Sequence, residues 1–168
     1  RGKFPRQSSA QLIPEDDVKR AFAYEAQGYE VYPISITVHI ARYGDDLTTI
    51  GAYQGKKQLE IKGYSKNSIM KTATLVAECY RHHYHRTGGR VRIHIYTDDN
   101  GVGGGVTDML ESWGFPVTGV QSGGAADKKD NYINKRAEMW HRAALALKGD
   151  FDLIEEQRML DDLTNIEY

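Results

Sequence analysis

The sequence predicts an α/β domain: a three-stranded antiparallel meander joined to parallel strands in one mixed sheet, with helices on both faces. Three observations carry this reading. Residues 34–41 alternate strictly, with Ile34, Ile36, Val38 and Ile40 against Ser35, Thr37, His39 and Ala41, the period of a half-buried strand. Short connections then link that strand to two more, which makes them antiparallel neighbours. Beyond residue 68, helical stripes alternate with short β runs, as in a sheet continued by crossover helices.

The first thirty residues read as a lead-in. Pro14 at the first helical position, followed by Glu15, Asp16 and Asp17, starts a short helix through Val18, Ala21 and Phe22 that Gly28 ends. After the strand at 34–41, Tyr43-Gly44-Asp45-Asp46 turns the chain into a second strand, 47–53. Gln54-Gly55-Lys56 then turns it into a third, 58–62. Ser65 or Ser68 caps the next helix, whose stripe is Ile69, Ala73, Val76, Ala77, Tyr80 and Tyr84. Thr87-Gly88-Gly89 stops it. Val91, Ile93 and Ile95 alternate with Arg92, His94 and Tyr96 in a strand at 91–96. A glycine-rich turn at 101–105 feeds a helix reaching Trp113, followed by a short strand at 116–120 and a loop at 122–127. A long helix spans about 131–147, with Ile133, Ala137, Trp140, Ala144 and Leu147 on one face. Gly149 ends it, and 155–163 forms a last short helix. The order β-β-β-α-β-α-β-α describes an RNase H-like layout.

At 168 residues and 40% hydrophobic content the chain suits one domain with a core of its own. Cys79 is the only cysteine, so neither a disulfide framework nor a cysteine-based zinc site is expected. No apolar run approaches membrane length, and RGKFPRQSSA is not a signal peptide, so a soluble, cytosolic protein is expected. The net charge of −1 hides an asymmetry: residues 1–54 carry −1, 55–96 carry +7 and 97–168 carry −7. A basic middle beside an acidic C-terminal part suits a polyanion-binding face next to a metal or acid site. Two solvated, partly neutralising faces are the bland alternative.

The motifs narrow the chemistry. Gly101-Val102-Gly103-Gly104-Gly105 lies between a strand and a helix, but a dinucleotide fingerprint needs glycine at Val106. Gly51 and Gly55-Lys56 are spaced one residue short of a P-loop, with no Ser or Thr after the lysine. No nucleotide site is expected. His82 and His85, three apart beside His83, could share a helical face. Without a second ligand pair, they read as cations complementing a helix C-terminus. Thr97-Asp98-Asp99-Asn100-Gly101 is different: two carboxylates at the C-terminal end of a strand lie where α/β sites form, and they suit Mg²⁺ or Mn²⁺. A solvated turn is the alternative.

The run from Asp98 to Leu110, DDNGVGGGVTDML, resembles the D-x-x-G-V-G-G-G-V-x-D-x-L stretch of the C-terminal nuclease domain of the tailed-phage terminase large subunit. Asn134-Lys135-Arg136-Ala137-Glu138-Met139-Trp140 is similar to the N-x-R-A-E-M-W helix of that family. Gly114-Phe115-Pro116-Val117, Gly123-Gly124-Ala125-Ala126-Asp127 and residues 160–168 resemble the segments around it. Upstream, Gly2-Lys3-Phe4-Pro5, Leu12-Ile13-Pro14 and Ile40-Ala41-Arg42-Tyr43-Gly44-Asp45-Asp46 look like the approach from the ATPase domain and the first hairpin.

The resemblance implies an RNase H-like, metal-dependent endonuclease that cuts concatemeric double-stranded DNA during packaging, in the host cytoplasm, with the terminase small subunit and the portal as partners. It implies a two-metal Mg²⁺ or Mn²⁺ site built by three acids on different elements. Asp98 matches the second of these, with Asp99 beside it, and His39 stands where the first-strand acid belongs. The third lies in a segment beyond the part matched by residues 160–168. Residues 1–31 are thus expected to lead in from an ATPase domain outside this chain, and 32–168 to form a C-terminally incomplete nuclease domain. Asp45, Asp46 and Asp99 are the acids that would partly substitute, and full activity is not expected. Lys56, Lys57, Lys62 and Arg92 from the basic segment are expected to contact phosphates. The rival reading is a non-catalytic DNA-binding or portal-docking module of the same fold from a degenerate prophage. A junction resolvase is a weaker third.

Overall fold

A computed structural model describes residues 11–41, 47–101 and 103–166. Gly2–Pro5, the Tyr43–Asp46 turn with Asp45 and Asp46, and Val102 lie outside the described residues.

Five strands, β1 (Ile34–His39), β2 (Thr48–Gln54), β3 (Lys57–Tyr64), β4 (Ile93–Asp98) and β5 (Val117–Val120), form one sheet in the order β3-β2-β1-β4-β5. β1 is antiparallel to β2 and parallel to β4, β2 pairs antiparallel with β3, and β4 pairs parallel with β5. This is the mixed sheet, with an antiparallel meander and parallel strands, expected from the element order. The helices are α1 (Glu15–Ala23), α2 (Ile69–Thr87), α3 (Gly103–Ser112), α4 (Lys135–Leu147) and α5 (Gln157–Thr164).

Each sheet face has its own core. Ile34, Ile36 and Val38 of β1 and Ile93 and Ile95 of β4 meet Ala73 and Val76 of α2 and Val106 and Leu110 of α3. Burying each large aliphatic side chain contributes about 1.5–3 kcal/mol, so this alternation positions the sheet on α2 and α3. On the other face Val18 and Ala21 of α1 cluster with Leu12, Ile13, Ala144, Leu147 and Leu153, and Tyr53 of β2 packs against them. Leu12 N–H donates to the Ile166 carbonyl at 2.8 Å, so the described part of the lead-in belongs to the layer of α4 and α5.

Three local expectations need correction. α1 ends at Ala23; Gly28, at φ 64°, opens a 3-10 turn, Tyr29–Val31. In the last turns of α2 the buried residues are His83 and Thr87, while Tyr84 is 49% exposed. There the polar residues find partners and the apolar stripe drifts outward. α4 starts at Lys135, because Asn134 Oδ1 accepts from Ala137 N–H at 2.9 Å and caps it. Ile133 precedes the cap and is exposed. Among the described residues no helix is long and apolar enough to cross a membrane.

Candidate active site

Strand register brings the site together. Val38 lies opposite Thr97 across the parallel β1–β4 pair, so the next residues of each strand, His39 and Asp98, are neighbours at its C-terminal end. Alternation puts Thr37, His39, Tyr96 and Asp98 on the face away from the α2–α3 core. His39 Nδ1 donates to Asp98 Oδ2 at 3.2 Å, and the two side chains are 58% and 30% exposed. In the neutral ring this hydrogen bond leaves the Nε2 lone pair free.

Asp98 Oδ1 accepts from Asn100, from Nδ2 at 2.5 Å and from the backbone N–H at 3.3 Å. The second Nδ2 hydrogen reaches Ser122 Oγ at 2.6 Å, which also accepts from Arg136 Nη2 at 3.3 Å. A hydrogen-bonded chain therefore links His39 on β1, Asp98 and Asn100 on and after β4, Ser122 after β5, and Arg136 on α4. His39, Asp98, Ser122 and Arg136 line a hollow of about 650 Å³ with Tyr96 and Trp140. Arg136 is its cation. It sits in the Asn134–Trp140 motif, the signal by which its role was findable, and capping by Asn134 sets its position.

Asp99 goes elsewhere. Neighbouring strand residues face opposite ways, and Asp99 Oδ1 accepts from Thr107 Oγ1 of α3 at 3.2 Å, on the same face as buried Thr97. Gly119 leaves it room: a Cβ there would stand 2.8 Å from Asp99 Cγ. Asp99 thus leaves the sheet on the face opposite the His39–Asp98 hollow.

The four cations named from the basic segment also lie away from the hollow. Gln54 pairs with Ile34, so Lys56 and Lys57 follow at the N-terminal end of β1. Arg92, whose carbonyl accepts from Ile34 N–H, is at the same end. His39 is five residues further on, roughly 16 Å at the rise of a strand. Lys57 Nζ is held by Asp152 Oδ2 at 2.6 Å and stands over the Tyr29 ring. Lys62 lies opposite buried Ile50 on the α2 face, with Nζ 2.6 Å from Glu60 Oε2. Linear charge density did not report which face or sheet end each side chain would occupy.

The donor set tests the implied metals. Among the described residues Asp98 is the only carboxylate lining the hollow. Two Mg²⁺ ions about 4 Å apart need several bridging and terminal oxygens. One carboxylate and one imidazole do not supply them, so a two-Mg²⁺ pair does not fit these residues. The set does suit a single ion that accepts imidazole, such as Mn²⁺ or Zn²⁺.

No family model and no curated protein matches the chain. Solved structures do. The nuclease domain of the large terminase subunit gp2 of bacterial virus Sf6 is similar over 93% of this chain and 82% of its own, with a TM-score of 0.71 at 16% identity. The large terminase nuclease from thermophilic phage G20c, with bound magnesium, is similar over 96% of this chain and 82% of its own, TM-score 0.64 at 16% identity. The same G20c nuclease with bound zinc covers 86% of this chain and 81% of its own, with TM-score 0.62 at 15% identity. The chain has the fold of a phage large-terminase nuclease domain. Within that terminase fold the His39–Asp98 pair sits at the C-terminal ends of two adjacent parallel strands, where α/β sheets form their sites.

Proposed function

We propose that the chain is the nuclease domain of a phage DNA-packaging large terminase subunit, acting on double-stranded DNA at the His39–Asp98 pair. The observation that carries this is the pair itself: a carboxylate and an imidazole 3.2 Å apart at the floor of an open hollow. The terminase fold supports the substrate class.

The chain's own residues divide the work. Asp98 fixes the ring of His39 and keeps its proton on Nδ1. Nε2 is then free to take a proton from an incoming water or to hold a cation, as ligating histidines do when a carboxylate orients them. Asn100 and Ser122 hold Asp98 and Arg136 in register. The Arg136 guanidinium offers the charge that a phosphate needs. A divalent ion held at His39 Nε2, with Asp98 orienting the ring from behind, would polarise the phosphate. With one carboxylate among the described residues that line the hollow, cutting is expected to be slow and to prefer Mn²⁺ over Mg²⁺.

Plasmid nicking at matched Mg²⁺ and Mn²⁺ tests this. Weak Mn²⁺-dependent nicking is expected, abolished in Asp98→Ala, and His39→Asp should raise Mg²⁺-dependent nicking at least tenfold. Robust activity unchanged by Asp98→Ala would dismiss the site.

The second reading, a DNA-binding or portal-docking module that does not cut, is favoured by Asp98 being the single carboxylate among the described residues that line the hollow. It requires salt-sensitive DNA binding with no nicking in either metal, and no gain in His39→Asp.

A further inference from the structure

We propose that Glu60, Cys79 and His83 form a second cation site, for an ion of the zinc class, on the sheet face opposite the His39–Asp98 pair. Cys79 and His83 are four residues apart on α2, so one helical face presents both. Glu60 projects from β3 towards them. Glu60 Oε1 accepts from Cys79 Sγ at 3.0 Å and from His83 Nε2 at 3.0 Å, and the three ligand atoms lie within 4.8 Å of one another. Ligands around a tetrahedral Zn²⁺, with bonds of about 2.0–2.3 Å, stand roughly 3.5 Å apart. Adjustments of an ångström or so convert one arrangement into the other. Thiolate, imidazole and carboxylate together select zinc or cobalt over Mg²⁺.

The surroundings suit an ion. His83 is only 3% exposed. Lys62 occupies Glu60 Oε2, leaving Oε1 for the cation. A hollow of about 210 Å³, lined by Glu60, Cys79, Glu78 and His82, opens a fourth position to water.

Protons account as follows. Cys79 Sγ donates to Glu60 Oε1, so without an ion the thiol carries its proton. Arg86 Nε donates to His83 Nδ1 at 3.3 Å, which puts the ring proton on Nε2. On binding, the thiol proton leaves to solvent, the ring proton passes from Nε2 to Nδ1, and the Arg86 Nε–H turns away. One proton is released per ion.

The site ties β3, a strand at the sheet edge, to α2. It stands apart from the DNA reading, and its test removes the other site first. In a His39→Ala/Asp98→Ala chain, equilibrium dialysis with metal analysis should find one Zn²⁺ per chain, with one proton released in buffer-dependent calorimetry. Co²⁺ should give a thiolate-to-metal charge-transfer band, read on the chain with Cys79 intact. Cys79→Ser retains a hydroxyl donor for Glu60 and should weaken Zn²⁺ by more than the ~10–100-fold typical of losing an outer-sphere partner. No Zn²⁺ retained in the double variant, no charge-transfer band, or equal binding by Cys79→Ser would overturn the proposal. None of these outcomes touches the nicking result.

Discussion

His39 and Asp98 are 59 positions apart in the chain, yet they share a hydrogen bond because β1 and β4 are adjacent in the sheet. The motif around Asp98 marked a carboxylate at a strand end, and strand period put His39 on the same side as Thr37. Neither could show that Asp99 would turn to Thr107. Glu60 was invisible as a functional residue because its partners lie on a helix that packs over it only in the fold. Burial acts to raise its carboxyl, but hydrogen bonds from Lys62, Cys79 and His83 bring it down to about 2. A carboxyl lowered in the folded state stabilises the protein above its unfolded value of 4.5, and that contribution is lost as pH falls from there towards 2. In metal-free buffer, Glu60→Gln should flatten the pH dependence of denaturant midpoints across that window. An unchanged slope would mean that these hydrogen bonds do not favour the charged form.

At the scale of elements, the β4–α3 junction explains the glycine-rich run that fits no nucleotide motif. A Cβ at Gly103 would lie 1.7 Å from the Asp98 carbonyl oxygen, so helix and strand approach more closely than any side chain allows. The glycine is there for contact with backbone, and the same contact sets where the Asp98 carboxylate leaves the sheet. Gly103→Ala should cost at least ~2–3 kcal/mol in chemical denaturation, through overpacking, and should reduce nicking in the surviving folded fraction. A stability loss under about 0.5 kcal/mol would show that the junction can shift freely.

Across the whole molecule, the +7 and −7 segments are in direct contact. Lys57 and Asp152 pair one segment with the other, and Asp152 Oδ2 also accepts from Ala26 N–H, so this contact joins the sheet to the lead-in and the C-terminal layer. Lys57→Ala should therefore destabilise by about 1–3 kcal/mol and leave the salt dependence of DNA binding unchanged. Arg136→Ala should lower the salt slope by about one phosphate contact. The reverse pattern would move the DNA track to the β2–β3 turn.

The sequence by itself determined the strands, the helices, the mixed sheet and the carboxylate at the end of β4. These rest on local period, caps and turn residues, which act between neighbours in the chain. Tertiary structure decided which side chains meet. It paired His39 with Asp98 and put Arg136 beside the hollow. It sent Asp99 and the basic segment elsewhere, and gathered Glu60, Cys79 and His83. A sheet turns successive residues to opposite faces and sets distant strands side by side, so spacing along the chain carries the alternation but not the neighbour.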